Sequence, residues 1–418
     1  MASSPAHDGP SRVLLVGYNG ANNTGSESRL LSIIDDVRAV LGEDAVITIP
    51  TLNRPNLCRY IEEADNLRIA AIPSIYFSAV KRLVRANDVT LLVEGSCYMD
   101  TWTSALLWAF LWATKQSANM GRPSMAYAVD SGDLSPSNVK RVRRDASRTD
   151  LIITRTQAAA DRLRSWGVTA PIEVTADTSF TFQMDPADAD IVERTWPDRR
   201  GKGVAGIATV DFHMWPVVIR PWGRARDRYK WPYYFSRSRA RTEATRKLAT
   251  GLARQAQRLI EDHDMDVALL CMEQLDEPIA RQVMALVPSR DRVRLFSACD
   301  HNASQMQGVL RGLDLLVTSR YHATVLSAPS AVPSVCFGHD PRTEELYRDM
   351  HIYKTNFIPH AAEDLFERLE GYVERVLADP TPEREAVRRA HDEHLERARR
   401  NRQLLRSFLE ARGWSVRK

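Results

Sequence analysis

The stretch Val89-Thr90-Leu91-Leu92-Val93-Glu94-Gly95 decides the fold. Its apolar run does not alternate with polar residues. That is the pattern of a strand covered on both faces, and such strands belong to parallel sheets. The same kind of segment recurs on either side. RVLLVGYN (12–19), AVITIPT (45–51) and LRIAAIP (67–73) read as strands upstream, and PSMAYAVDSG (123–132), DLIITRTQ (150–157) and PIEVTAD (171–177) downstream. Between them SRLLSIIDDVRAVLG (28–42), IYFSAVKRLVRAN (75–87), SALLWAFLWAT (104–114) and AAADRLRSWG (158–167) carry apolar residues at helical spacing. Repeated strand–helix alternation builds a parallel sheet with helices on both faces.

Asp185 to Gly203 is polar, contains Pro186 and Pro197, and reads as a linker. The alternation then restarts, with strands expected at 203–212, 266–274, 293–298, 314–322 and 332–338, and helices between them. From Glu363 to Trp414 the chain is rich in Glu, Arg and Leu and reads as two or three helices, the last a solvated one with intrahelical ion pairs. The expected organisation is an α/β protein with two Rossmann-like domains, 1–185 and 203–362, and a helical tail, 363–418. A cleft between two such sheets would receive the residues that follow their strands.

Composition narrows the function classes. Fifty-seven Lys and Arg against 53 Asp and Glu leave a formal charge of +4 over 418 residues, too even for a dedicated nucleic-acid binder. Five scattered cysteines form no CxxC pair, so neither a zinc ribbon, a redox dithiol nor a disulfide framework is signalled. No metal site is expected. The first twelve residues lack the apolar centre of a secretory signal, and 104–114 is too short to span a bilayer and reads as a buried helix. A cytoplasmic location is expected.

Five constellations can carry chemistry. Gly17 to Glu27, between the first strand and its helix, offers glycine, asparagine and a helix N-terminus; Asn23 and Gly25 are its candidate contacts, and an ordinary turn capped by Ser26 or Thr24 is the plain reading. Glu94, Cys97 and Asp100 follow a buried strand; Cys97 has no neighbouring base and reads as a small buried thiol. Asp130 and Asp133 end another strand, as bases or hydroxyl-orienting groups, or with Asp133 as a helix cap. To the same group belong Arg155, which ends the strand LIIT, where an anion clamp is expected, and Asp177, which reads as a turn residue. Arg320 and His322 end the strand DLLVTS: a bidentate fork and a proton donor, or a structural arginine with a capping histidine. Finally, basic and aromatic residues crowd 213–246, among them Trp215, Trp222, Arg224, Trp231 and Tyr233. That composition suits an acceptor-binding loop, a single-stranded nucleic acid or plain loop packing.

Taken in order, these segments resemble the polysaccharide pyruvyl transferase family from about Arg12 to Met350. GYNGANNTGSESRLL is similar to its opening loop, VEGSCYMD to its glycine-rich segment, ITRTQAAADRLRSWGV and VTADTSF to its later strand ends. SRYHATVLSAPSAVPSVCFGHDP is the most specific match. This chain departs by having Glu94-Gly95-Ser96 in place of a glycine run, Ser26 for the usual Asp, Arg155-Thr156 for Arg-Asp, and Arg342 for a common Lys. The resemblance implies a GT-B-like arrangement and transfer of pyruvate from phosphoenolpyruvate to sugar hydroxyls as a ketal. It implies that Arg155 and Arg320 hold the donor's anionic groups and that His322 protonates its methylene carbon. Asn23, Gly25, Glu94, Asp100, Asp130, Asp133 and Arg342 are the expected substrate contacts. The donor is a substrate, so no cofactor is expected. A sugar-containing acceptor is the expected partner, with no nucleic acid and no integral membrane segment. The competing readings are a GT-B-type glycosyltransferase with a nucleotide-sugar donor and a non-catalytic glycan-binding protein.

Overall fold

The computed structural model describes residues 11–101, 103–213, 217–338 and 340–417. Trp215 lies outside them. In the first half, β1 (Arg12–Val16), β2 (Val46–Thr51), β3 (Leu67–Ala71), β4 (Val89–Leu92), β5 (Ser124–Val129), β6 (Leu151–Thr154) and β7 (Ile172–Val174) form one parallel sheet in the order β3-β2-β1-β4-β5-β6-β7. Both faces are buried. Val13 and Leu15 enter one apolar cluster while Leu14 and Val16 enter another, which is why these strands read as unbroken apolar runs.

The second half repeats the plan. β8 (Gly203–Ala208) is followed by three short strands, β9 (Val217–Ile219), β10 (Arg228–Lys230) and β11 (Tyr233–Phe235), then by β12 (Met265–Cys271), β13 (Val293–Ser297), β14 (Leu315–Thr318), β15 (Ser334–Gly338) and β16 (Phe357–Pro359). The second parallel sheet runs β13-β12-β8-β14-β15-β16. In each sheet the order reverses beside the first strand, between β1 and β4 and between β8 and β14. Those switch points open a crevice at the strands' carboxyl ends.

Four expectations are revised. The first helix starts at Thr24, because Asn23 caps it by accepting from the Ser26 amide at 3.0 Å. The expected linker packs, with Ile191, Val192 and Trp196 buried in the second half's core. Residues 217–235 fold into an antiparallel sheet, β10-β11-β9. The expected helical tail is present as two helices, but they part company rather than packing as one unit. Leu365–Ala378 packs Leu369 and Val373 into the second half's core, while Thr381–Glu410 inserts Leu405, Phe408 and Leu409 into the first. That last helix is therefore solvated on one side only. Helix Ser104–Asn119 buries Leu107, Phe110, Leu111 and Ala113, and among the described residues no helix is long and apolar enough to cross a membrane. All five cysteines are free thiols.

Candidate active site

The loop after β1 meets the loop after β12. Thr24 N donates to Met272 O at 2.9 Å, Gln274 N donates to Asn22 O at 3.0 Å, and Asn23 and Glu273 form an antiparallel bridge. Glu27, one turn into the first helix, accepts from the Ala303 amide at 2.8 Å at the start of helix Ala303–Arg311. Between the halves lies a cleft of about 660 Å³. Asn23, Gly25, Glu94, Asp133, Arg320, His322 and Arg342 all line it.

His322 stands in the first turn of helix Tyr321–Ser327 and faces across to the first half. A Cβ on Gly25 would sit 2.0 Å from His322 Nδ1, so only glycine leaves the ring its place. The Nε2 atom is buried without a hydrogen-bond partner and lies 3.6 Å from Asp177 Oδ2. Burial lowers the imidazole's pKa, aided by Arg155 and Arg29, while Asp177 pulls the other way.

Asp177 is the hub of a dry ion network. Its Oδ2 receives Arg29 Nη1 at 2.8 Å and Arg155 Nη1, and its Oδ1 accepts the Ser179 amide at 2.8 Å. Burial alone would raise the carboxyl's pKa. The two guanidiniums and His322 overcome this and hold it well below its usual range. Arg29 Nη2 also donates to Ala128 O at 2.9 Å, where Ala128 takes a positive φ of 51° at an irregularity between β5 and β6.

Three expected contacts do not reach the cleft. Arg155 is fully buried beneath Gly95, its Nε paired with Asp130 at 2.9 Å and its Nη1 with Asp177. Burial forces such a guanidinium onto carboxylates, which consumes both it and Asp130. Asp100 accepts from Ser135 N at 3.0 Å, Ser135 Oγ at 2.7 Å and Asn138 Nδ2 at 2.7 Å, and so caps helix Pro136–Ala146. Cys97 donates its thiol to Glu94 O at 3.0 Å, and burial raises its pKa, so it behaves as a packed thiol.

Glu273, not singled out from the sequence, enters the cleft after β12. It pairs with Arg320 Nη1 at 3.3 Å, and the rest of that guanidinium grips Asp276. Burial raises Glu273 to about 7, opposed by Arg320 and reinforced by Asp276 and Glu94. Glu94 itself accepts from Ser26 Oγ at 3.0 Å. The signal for Glu273 was available, since it follows a strand at its carboxyl end. Asp177 also follows a strand and was read as a turn residue, whereas Arg29 had no such signal, because only packing brings the two together. Arg342 is held by Asp340 through both Nε (2.7 and 2.9 Å) and Nη2.

The β10-β11-β9 sheet forms the cleft's outer wall. Tyr18 and Tyr229 hydroxyls meet at 2.5 Å, Tyr233 donates to Ser74 O at 2.9 Å, and Lys230 reaches Leu52 O. Arg228, Tyr229, Lys230, Tyr233 and Phe235 line the cleft, so part of the basic aromatic stretch belongs to the site. Among the described residues no group of three or more metal-ligating side chains could hold an ion.

The family model "Polysaccharide pyruvyl transferase" matches residues 41–341. No curated protein matches the chain by sequence. Among solved structures, Staphylococcus aureus MnaA with UDP is 9% identical over 96% of this chain and 97% of its own, with a TM-score of 0.62. Anabaena HepE in complex with UDP-glucose is 13% identical over 96% and 99%, with a TM-score of 0.59. UDP-GlcNAc 2-epimerase from Neisseria meningitidis, bound to UDP-GlcNAc, is 10% identical over 96% and 100%, with a TM-score of 0.57. At these identities the likeness is one of fold, two Rossmann-like halves in the GT-B manner.

Proposed function

The chain belongs to the polysaccharide pyruvyl transferase family, and on that premise we propose that this transferase moves the pyruvyl group of phosphoenolpyruvate onto two hydroxyls of a sugar-containing acceptor in the cleft. The observation that carries the reading is His322, pressed against Gly25 at the cleft wall with Asp177 behind it and Arg320 beside it. Arg320 and Arg342 orient the donor's carboxylate and phosphate, and both arrive pre-aimed by carboxylates. The incoming anion favours the imidazolium, which burial disfavours. His322 then protonates C3, and C2 acquires oxocarbenium character. One hydroxyl attacks C2 with Glu273 taking its proton. The C2–O bond to phosphate breaks, and the second hydroxyl closes the ketal. Of the two hydroxyl protons, one restores His322 and the other leaves with phosphate. Arg155 acts as a positioning residue by holding Asp177 and Asp130.

This chemistry needs no metal and no organic cofactor, since the donor carries its own leaving group. The five free thiols suit a reducing compartment, and on that ground we assign the protein to the cytoplasm.

The test is phosphate release from phosphoenolpyruvate with a panel of sugar acceptors, together with thermal shift against phosphoenolpyruvate and nucleotide sugars. Phosphoenolpyruvate should stabilise the protein and be consumed. Stabilisation by a nucleotide sugar alone would shift the assignment to a glycosyltransferase on the same architecture. The pH profile is a second check. The active form needs Glu273 ionised, with its pKa near 7, and His322 protonated, with its pKa below the ordinary 6.5. The kcat/KM curve is therefore a narrow bell, and Glu273→Gln removes its acid limb while lowering the rate about 10²–10⁴-fold.

A further inference from the structure

The outer end of the β10-β11-β9 sheet carries a feature that the transfer chemistry does not use. Trp222 is 77% exposed, Trp231 50% and Ile219 48%. Trp231 Nε1 donates to Pro221 O at 3.1 Å and Arg220 N donates to Pro232 O at 2.9 Å, so both indoles stand at the same end of the sheet. The Tyr233–Ser74 hydrogen bond brings the first half alongside, and the next residue, Ile75, is 56% exposed. Both halves therefore contribute to one apolar rim at the cleft mouth. Charge surrounds it. Residues 217–241 contain eight Lys and Arg and a single acid, Asp227, which is buried and taken up by Arg237 at 3.1 Å and Arg226 at 3.8 Å.

We propose that this rim docks the enzyme on the surface of a bilayer containing anionic phospholipid. Indoles settle at the headgroup level, where one edge is apolar and the other wet. Arginines beside them are drawn to lipid phosphates, at about 1 kcal/mol for each basic residue near the surface. Apolar insertion and charge attraction together give stable but reversible attachment, which neither supplies alone. A single-stranded nucleic acid would also meet arginine and tryptophan, yet Ile219 and Ile75 offer it neither a stacking face nor a donor. Docking in this sense turns the cleft mouth, lined by Tyr229 and Phe235, toward the lipid surface.

The experiment is sedimentation of the full-length protein with vesicles of phosphatidylglycerol and phosphatidylcholine, and with vesicles of phosphatidylcholine alone. The protein should sediment with the anionic vesicles only. The Trp222→Ser/Trp231→Ser variant should stay in solution at an unchanged melting temperature. Arg224→Ala/Arg226→Ala should partition about thirtyfold more weakly. No sedimentation with anionic vesicles, undiminished binding by the double tryptophan variant, or tighter binding to a single-stranded RNA oligonucleotide than to vesicles overturns the proposal. Vesicle binding is read without turnover, so its result is separate from that of the donor assay.

Discussion

Gly25 and His322 form the site's tightest joint. A methyl at position 25 would overlap the imidazole by more than an ångström, with Nδ1 at 2.0 Å and Cγ at 2.4 Å. The ring must then swing off its axis with Asp177. Gly25→Ala should lower kcat by about 10²-fold, the usual effect of a misplacement of roughly 1 Å at the reacting group. Its overpacking cost of about 1–3 kcal/mol leaves the fold standing, so a steady-state assay beside a thermal melt checks the assignment. Unchanged kcat would remove His322 from the reaction. At this scale the sequence was informative wherever a functional group follows a strand. Arg320, His322, Glu94 and Asp133 all reach the cleft from such positions. Arg155, Asp130 and Asp100 lie outside the cleft lining, since a strand end can aim a side chain inward as readily as outward. Burial, which no spacing reveals, then settled the partners.

Among the elements, the first helix does most to join the two halves. Asn23 caps it, its Arg29 supports Asp177, and Glu27 caps the facing helix Ala303–Arg311 through the Ala303 amide. Burial raises Glu27 to about 7, against that amide and Arg59. A carboxyl raised on folding binds its proton more tightly in the native state. Its stabilising contribution is full below about 4.5, the unfolded value, and is lost as pH rises through about 7. Glu27→Gln keeps an acceptor for the Ala303 amide and discards the buried charge. It should therefore raise the unfolding free energy at pH 8 by up to about 3 kcal/mol and change it little near pH 4. Denaturant melts at the two pH values measure the difference. Equal effects at both would mean that Glu27 is solvated. The strands and long helices of both sheets were legible from their apolar runs. The short strands β9 to β11 were not, because a run of three residues is too short to carry a periodic signal.

At the scale of the molecule, the closing helix Thr381–Glu410 binds the site to the rest of the chain. Its Asn401 is fully buried, accepts from Thr175 Oγ1 at 2.5 Å and donates to Ala176 O at 3.0 Å. Those two residues immediately precede Asp177. Asn401→Ala strands both groups in a dry interior, at about 1–3 kcal/mol. It also loosens Asp177, so kcat/KM should fall by more than the loss of folded protein explains. Activity normalised to folded fraction tests this, and full normalised activity would confine Asn401 to stability. By itself the sequence determined the two-sheet α/β architecture and the family, because covered strands and switch-point loops leave a local pattern in residue order. Only the tertiary structure decided which charges meet one another. Arg29, Arg155, Asp177, Glu273 and Asn401 come from distant segments, and what a buried charge does depends on whichever partner packing brings within about 3 Å.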